Sequence, residues 1–416
     1  MDLREAETYL LDLELFGMRF GLDRMHRLMT ALGSPQRGFQ SVHVVGSNGK
    51  SSTARMIAAL LERHGLRTGT YTSPHLRSFA ERIEVGGRPI SGAEFGAAVA
   101  RAARAAEMVD RTAAEDDRVT QFEALTAAAY HELARRGVEV AVIEAGLGGR
   151  YDATNVIPSR VQVLTGVSLE HTRWLGPTLT DIAEEKLAVV QTRGTLAVSG
   201  GLPDEVGAVA RRVASERNAT LLEAPADTAI ELRVRGRMQR QNFALATAVA
   251  AAFLHRPLDP EAVARAGAEV EIPGRVEIVG ERPMVIHDGA HNPAGAAALR
   301  EALPEVVGDR KLVGVFAILD DKDAAGILDE LIPLCAHAVM TRCEHPRSLP
   351  PATLASLAER SSSDQGPSLQ TARDPRPALE LARRFAGPDG AVVATGSLHL
   401  VSDLVRDRAV ERVSRF

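Results

Sequence analysis

Ten consecutive residues, Val44-Val-Gly-Ser-Asn-Gly-Lys-Ser-Ser-Thr53, carry the most specific chemistry in this 416-residue chain. Gly46 and Gly49, then Lys50, Ser51 and Ser52, follow an apolar β-branched run and precede a helical one. Backbone N–H groups of such a turn and of the helix start can cradle phosphate oxygens, where the helix dipole favours negative charge. Lys50 would reach the terminal phosphates of a nucleotide, and Ser51 or Ser52 would offer a hydroxyl to Mg2+. The strict GxxxxGK[ST] string fails, because Val44 stands where its first Gly belongs. The shorter G-x-x-G-K-S draws its meaning from the strand–turn–helix context, and its bland alternative is a plain βα turn. Lysine usage weighs against that alternative: only Lys50, Lys186, Lys311 and Lys322 occur among 49 basic residues. A lysine kept in an arginine-rich chain suggests a task that a guanidinium cannot do.

Three further segments place polar groups just after predicted strands, where open α/β sheets put their sites. Thr72-Ser-Pro-His-Leu76 offers Ser73 and His75. Ile143-Glu-Ala-Gly-Leu-Gly-Gly-Arg-Tyr-Asp-Ala-Thr-Asn155 offers Glu144 and a glycine run that lets backbone approach a ligand. Ser168-Leu-Glu-His-Thr172 offers Glu170 and His171 as cation ligands. Mg2+ is satisfied by one or two carboxylates with phosphate and water, so Glu144 with Ser73 is chemically adequate; His171 suits Mn2+ better. Each alone also reads as a loop cap or a surface group. Lys186, in Asp181-Ile-Ala-Glu-Glu-Lys-Leu187, fits either a surface lysine near an acid such as Asp181 or a functional one, and spacing does not separate the two.

These groups need a scaffold, and the pattern supplies an α/β one. Strands are expected at 41–45, 68–72, 139–143, 161–164 and 195–198, with helices at 52–63, 92–108, 120–135 and 180–190. A second alternation has strands at 283–286, 312–316, 338–341 and 391–394. Long and short helices, 239–255 and 259–267, lie between the two series. An amphipathic stretch over 5–32 leads the chain, with Leu10, Leu13, Phe16 and Met18 near helical spacing. The stretch 361–376, polar and rich in Pro, Ser and Asp, reads as a loop. Alternating strands and helices argue mostly parallel sheets covered on both faces. Pro273-Gly274 punctuates the chain, so the expected domains are 1–271, carrying the phosphate loop, and 272–416, a smaller Rossmann-like α/β domain.

Composition sets the outer limits. Lys plus Arg number 49 against 54 Asp plus Glu, a formal charge of −5, without the footprint of a nucleic-acid binder. Hydrophobic residues make up 45% and mean hydropathy is −0.06, which argues against disorder and against a membrane-integral protein. The acidic amino terminus is not that of a signal peptide. Cys335 and Cys343 form neither a disulfide framework nor a metal set. The expectation is a cytoplasmic globular protein, a monomer working on small molecules, with no nucleic-acid or membrane partner.

Taken in order, Gly46-Ser-Asn-Gly-Lys-Ser-Ser52, Thr72-Ser-Pro-His-Leu76 with Glu81-Arg-Ile83, Glu144 through Asn155, and Asp288-Gly-Ala-His-Asn-Pro293 closely resemble folylpolyglutamate synthase/dihydrofolate synthase, a branch of the Mur ligase superfamily. The resemblance runs from Tyr9 to Leu398. It implies a P-loop Mur-ligase-type domain with a mostly parallel sheet, a smaller Rossmann-like carboxy-terminal domain, and ATP bridging them. The implied activity is an ATP-dependent amide ligation of L-glutamate, through an acyl phosphate, to dihydropteroate, to the glutamate tail of a reduced folate, or to both. Mg2+ is the implied metal, and a monovalent cation stays open.

Residue by residue, the resemblance assigns Ser73, Glu144 and His171 as metal ligands, and Lys186 as a carbamylated lysine that helps hold the metal. It assigns Asn242, Arg275, Asp288 and His291 to ATP beside the loop residues Gly46, Ser47, Asn48, Gly49, Lys50, Ser51 and Ser52. Phe122, Glu123 and Thr126, with Arg150, Asp152 and Asn155, fall on the substrate side; Lys50, His171 and Lys186 form the expected catalytic group. The chain departs from the family pattern at Ser47 and Ser51, usually Thr and Gly, at Glu170, usually Asp, and at His399, usually Tyr. Competing readings are a related Mur-type ligase with another carboxylate substrate, a P-loop NTPase switch, and a degenerate nucleotide-binding regulator. Only about 40 residues precede the loop, which leaves little room for a separate UDP-sugar domain, and Asp321-Lys322-Asp323 lacks the Asn of a guanine-binding N-K-x-D.

Overall fold

The computed structural model describes residues 1–13, 21–114, 117–361 and 366–406. They fall into two compact units, Met1–Glu231 with Arg240–Val270, and Leu232–Gln239 with the chain from Glu271 onward. The short stretch Leu232–Gln239 thus groups with the second unit although it precedes residue 272.

The first unit is built on an eight-stranded sheet: β1 (Gln40–Val45), β2 (Thr68–Tyr71), β3 (Ile83–Val85), β4 (Arg88–Pro89), β5 (Val140–Glu144), β6 (Val161–Leu164), β7 (Thr195–Val198) and β8 (Thr220–Glu223). Their spatial order is β4-β3-β2-β5-β1-β6-β7-β8. Along the order from β2 to β8 neighbours are parallel, and the pairs β2–β3 and β3–β4 are antiparallel. Central strands are buried on both faces, which is why β5 reads as an apolar run without alternation and β1 keeps even Ser41 and His43 from solvent. One face packs Tyr71, Leu125, Tyr130 and Ile143, and the other Val45, Leu164, Leu187 and Val209. Each large apolar side chain so buried contributes about 1.5–3 kcal/mol.

Two registers position the chemistry. Val44 pairs with Glu144, so the carboxylate lies beside the strand end that opens the glycine loop. Val45 pairs with Leu164, which brings Thr165 next to Gly46. The chain leaves β1 toward β2 on one side and later returns to β6 on the other, so its carboxyl end is a topological switch point.

The second unit has a six-stranded sheet of β9 (Glu277–Glu281), β10 (Met284–His287), β11 (Leu312–Phe316), β12 (His337–Met340), β13 (Ser368–Thr371) and β14 (Ala391–Thr395). Its order is β13-β12-β11-β14-β10-β9, parallel except for β9. Helices Pro293–Val307, Ala324–Leu331 and Pro351–Arg360 cover one face, around Phe316 and Met340; Pro375–Ala386 and Leu398–Val405 cover the other, around Val315 and Leu400.

The leading amphipathic stretch holds two helices, Leu3–Asp12 and Asp23–Ala31, and Phe16 and Met18 lie outside the described residues. One expectation needs correction. The expected loop 361–376 contains β13, an edge strand that shows only a half-buried Leu369 to the core and so lacks an apolar pattern.

Candidate active site

The loop between β1 and the helix Lys50–Arg63 is shaped by two glycines in the left-handed region. Gly46 has φ +150 and Gly49, the residue before the helix, φ +83. A Cβ at Gly46 would lie 2.0 Å from Thr165 Oγ1, and one at Gly49 2.6 Å from Asn242 Oδ1. The turn is braced from outside: Thr165 Oγ1 donates to Asn48 O at 2.6 Å, and Ser168 N donates to Ser47 Oγ at 3.0 Å. Lys50 Nζ folds over the loop, donating to Gly46 O at 2.9 Å and Ser47 O at 3.1 Å. A cation, a helix amino terminus and a glycine turn therefore converge on one spot, as an anion site requires.

Glu144 faces the same helix start. Its Oε1 accepts from Ser51 Oγ at 2.9 Å and its Oε2 from Ser73 N at 3.0 Å. Ser51, Ser73 and Glu144 are thus gathered into one oxygen-rich corner, a hard donor set that fits Mg2+ completed by phosphate and water. His171 is exposed, at φ +47, ahead of the short helix Thr172–Leu175, and its charge acts on Glu170. Among the described residues, no group of three or more His, Cys, Asp or Glu is arranged to hold a metal.

Lys186 is the deepest cation of the site. On the helix Leu179–Leu187 it is 1% exposed, and its Nζ donates to Gly46 O at 2.9 Å and to Glu170 Oε1 at 3.0 Å. Burial pushes its pKa down to about 8 against the opposing pull of Glu170, and Lys50 pushes the same way as burial. For Glu170, burial acts upward, but the charges of Lys186, Lys50 and His171 prevail and hold the carboxyl well below its usual range. Glu170, offered by the sequence as a cation ligand, is here the counter-ion of Lys186.

The loop after β5 joins the substrate-side candidates only in part. The Phe122 ring stacks 6.2 Å from Tyr71, and a Cβ at Gly146 would sit 2.6 Å from Phe122 Cζ. Arg150 is exposed and pairs with Glu185, while Asn155 Nδ2 donates to Arg150 O. Asp152 is buried and accepts from loop amides. Glu123 and Thr126 turn inward. Glu123 closes a capping box with Thr120 and accepts from Arg24 Nε at 3.1 Å; Thr126 Oγ1 is 3.2 Å from Tyr71 OH.

In the second unit, Arg275, Asp288 and His291 meet around Gly289. Asp288 accepts from Val276 N at 3.0 Å and Ala290 N at 2.7 Å; burial raises its carboxyl, with Arg275 and those amides opposing. His291 Nδ1 is 2.9 Å from Gly289 O, and Arg275 Nη1 is 2.9 Å from where a Gly289 Cβ would be. Sequence reasoning missed Thr165, whose only signal is a hydroxyl one residue beyond β6. It also missed the role of Arg82, fully buried, with Nε donating to His75 Nδ1 at 3.0 Å and its guanidinium over the Phe79 ring.

Residues 44–199 match the Mur ligase middle domain, and residues 274–398 the Mur ligase glutamate ligase domain. The chain is 37% identical to a dihydrofolate synthase/folylpolyglutamate synthase of Mycobacterium tuberculosis, across 91% of this chain and 88% of that protein. The chain belongs to the dihydrofolate synthase/folylpolyglutamate synthase family. It is also 35% identical to the folylpolyglutamate synthase of Lacticaseibacillus casei, across 91% of this chain and 92% of that one. A solved structure of the Mycobacterium tuberculosis folylpolyglutamate synthase complexed with ADP shares the fold at a TM-score of 0.89 and 34% identity, covering 96% of both chains. In this member of the dihydrofolate synthase/folylpolyglutamate synthase family, the middle-domain match contains the whole Gly46–Ser52 loop, Ser73, Glu144, His171 and Lys186. The ligase-domain match contains Arg275, Asp288 and His291.

Proposed function

We propose that this chain is an ATP-dependent amide ligase that adds L-glutamate to dihydropteroate, to the glutamate tail of a reduced folate, or to both. The observation that carries the reading is the corner where Lys50, the start of its helix, Ser51, Ser73 and Glu144 meet, in a family whose relatives are named for this activity.

In this reading the Gly46–Ser52 backbone and Lys50 hold the ATP phosphates. Asn242, which touches Gly49, and Arg275, Asp288 and His291 are further nucleotide contacts. Ser51, Ser73 and Glu144 would hold Mg2+, with His171 and Lys186 as the outer candidates, and the bound ion would offset charge on the γ-phosphate. Lys50 offsets charge on the transferring phosphoryl group, where positioning and electrostatics supply most of the catalysis. The acceptor carboxylate oxygen takes the γ-phosphoryl group and ADP leaves. The glutamate amine then attacks the acyl carbon, the C–O bond to phosphate breaks, and the amide and phosphate are released.

Phe122 and the loop carrying Arg150, Asp152 and Asn155 form the acceptor side. Glu123 and Thr126 support it through packing rather than contact. Lys186 sits as an ammonium between Gly46 O and Glu170, so its carbamylation would exchange that pairing for a new acid at the same place. The fuller picture is a cytoplasmic monomer with functional domains 1–271 and 272–416.

The test is phosphate release from Mg-ATP that depends on glutamate, run in parallel with dihydropteroate and tetrahydrofolate, with products weighed by mass spectrometry. Mass gained by one glutamate on either acceptor is the expected result, and gain on both makes the enzyme bifunctional. Phosphate release indifferent to both acceptors and to glutamate overturns the ligase in favour of an NTPase.

A further inference from the structure

Behind Glu144, three buried side chains from distant parts of the chain form a one-directional hydrogen-bond chain. His43 on β1 places Nε2 2.8 Å from Thr154 Oγ1, and Thr154 Oγ1 donates in turn to Asp152 Oδ1. His43 and Thr154 are fully buried and Asp152 is 6% exposed. The direction follows from proton count: the single Thr154 hydroxyl proton is committed to the carboxylate, so that oxygen accepts, and His43 carries its proton on Nε2. Asp152 then accepts from Thr154 N at 3.0 Å, from Leu147 N at 2.8 Å and from Gly146 N. Its lone pairs go to the loop that follows Glu144. His43 Nδ1 has no partner among the described residues, so the imidazole leaves a buried acceptor unsatisfied, a cost an apolar residue would avoid. What the ring contributes in return is its Nε2–H.

We propose that His43 is a positioning residue: through Thr154 and Asp152 it sets the loop 146–152, and with it the surface that receives the acceptor. That loop exposes Arg150 and Tyr151 and rests its Gly146 against the Phe122 ring. A guanidinium, a phenol and a phenyl ring suit a flat aromatic acid rather than a phosphate chain. The identity of that acid rests on the ligase reading; the hydrogen-bond chain does not. The loop also braces the helix that carries Lys186, through Arg150 N to Glu185 O at 3.1 Å, so turnover falls along with acceptor affinity when the chain is cut.

The test compares His43→Leu, His43→Gln and Thr154→Val in the full-length protein. His43→Leu and Thr154→Val are expected to raise KM for the acceptor roughly tenfold while leaving KM for ATP within about twofold. His43→Gln keeps a donor near Nε2 and is expected to recover most of the acceptor KM. The double variant His43→Leu/Thr154→Val is expected to be no worse than its worse parent, because one chain is cut twice. Hydrogen exchange at the Gly146 and Leu147 amides, read without substrate, is expected to speed up roughly tenfold in both single variants. Unchanged exchange, equal losses on ATP and acceptor, or a His43→Gln variant as impaired as His43→Leu would each overturn the proposal. Thr154→Val is near-isosteric and carries the same test if His43→Leu does not fold. A wild-type enzyme that glutamylates neither acceptor refutes the ligase reading, and the exchange arm still decides the role of His43.

Discussion

Among the described residues Lys50 Nζ donates to Gly46 O and Ser47 O, and both are carbonyls rather than carboxylates. Its positive charge is therefore uncancelled by a counter-ion in direct contact and is available to a phosphate. Lys50→Ala is expected to lower kcat/KM for ATP by at least about 100-fold, or ~2.7 kcal/mol of transition-state stabilisation, in steady-state assays with saturating glutamate. A loss under tenfold would remove Lys50 from the phosphate chemistry. His43 yields a pH prediction of a different kind. Burial holds its pKa down to about 3, well below the usual imidazole value near 6.5. Below pH 6.5 the unfolded chain takes up a proton that the native one refuses, so stability falls with pH from 6.5 down to about 3. Between pH 7 and pH 5 the wild type is expected to lose about 2 kcal/mol that His43→Gln keeps, read from urea unfolding at the two pH values. At this scale the sequence disclosed residue types better than partners. Lys50 announced itself by motif, whereas Lys186 and Glu170 meet only because the loop after β6 folds back on the helix Leu179–Leu187, and His43 meets Thr154 across 111 residues.

Secondary structure was legible where burial is two-sided and obscure where it is not. β6, β7 and β11 are mostly apolar and have no exposed position, and their limits could be read directly. β8, β9 and β13 lie at sheet edges and bury little, so pairing with a neighbour, rather than their own pattern, makes them strands. The helix Gln121–Arg135 shows the complementary limit: its boundary was visible, but the role of Glu123 was not. A Thr-x-x-Glu spacing is a capping box in its own right, and here Glu123 closes it while pairing with the buried Arg24. Removing Glu123 opens the capping box and leaves Arg24 with Asp117 as its remaining acid, so Glu123→Ala is expected to cost about 1–3 kcal/mol. Glu123→Gln, which still accepts from Thr120 N, is expected to cost less. Urea midpoints for the two variants settle the matter, and a fully stable Glu123→Ala with a raised acceptor KM would return Glu123 to substrate contact.

At the scale of the molecule the described residues hold two sheets, each with apolar clusters on both faces, and each unit is large enough to melt cooperatively. Calorimetry of the intact chain is expected to resolve two transitions. Nucleotide then tells which unit senses it, because a ligand that binds only the native state stabilises by an amount set by its concentration relative to Kd. Mg-ADP at 100 times its Kd is expected to add about 2.7 kcal/mol to the unit that carries Lys50 and Glu144, raising that transition by roughly 5–10 °C. Chelating the metal should remove most of this shift if Ser51, Ser73 and Glu144 hold Mg2+, since the carboxylate then repels the bare diphosphate. Lys50→Ala should abolish the shift with or without metal. A shift that survives chelation unchanged would leave Glu144 as a hydrogen-bond acceptor for Ser51 and Ser73 alone, and the metal would have to be sought elsewhere in the chain.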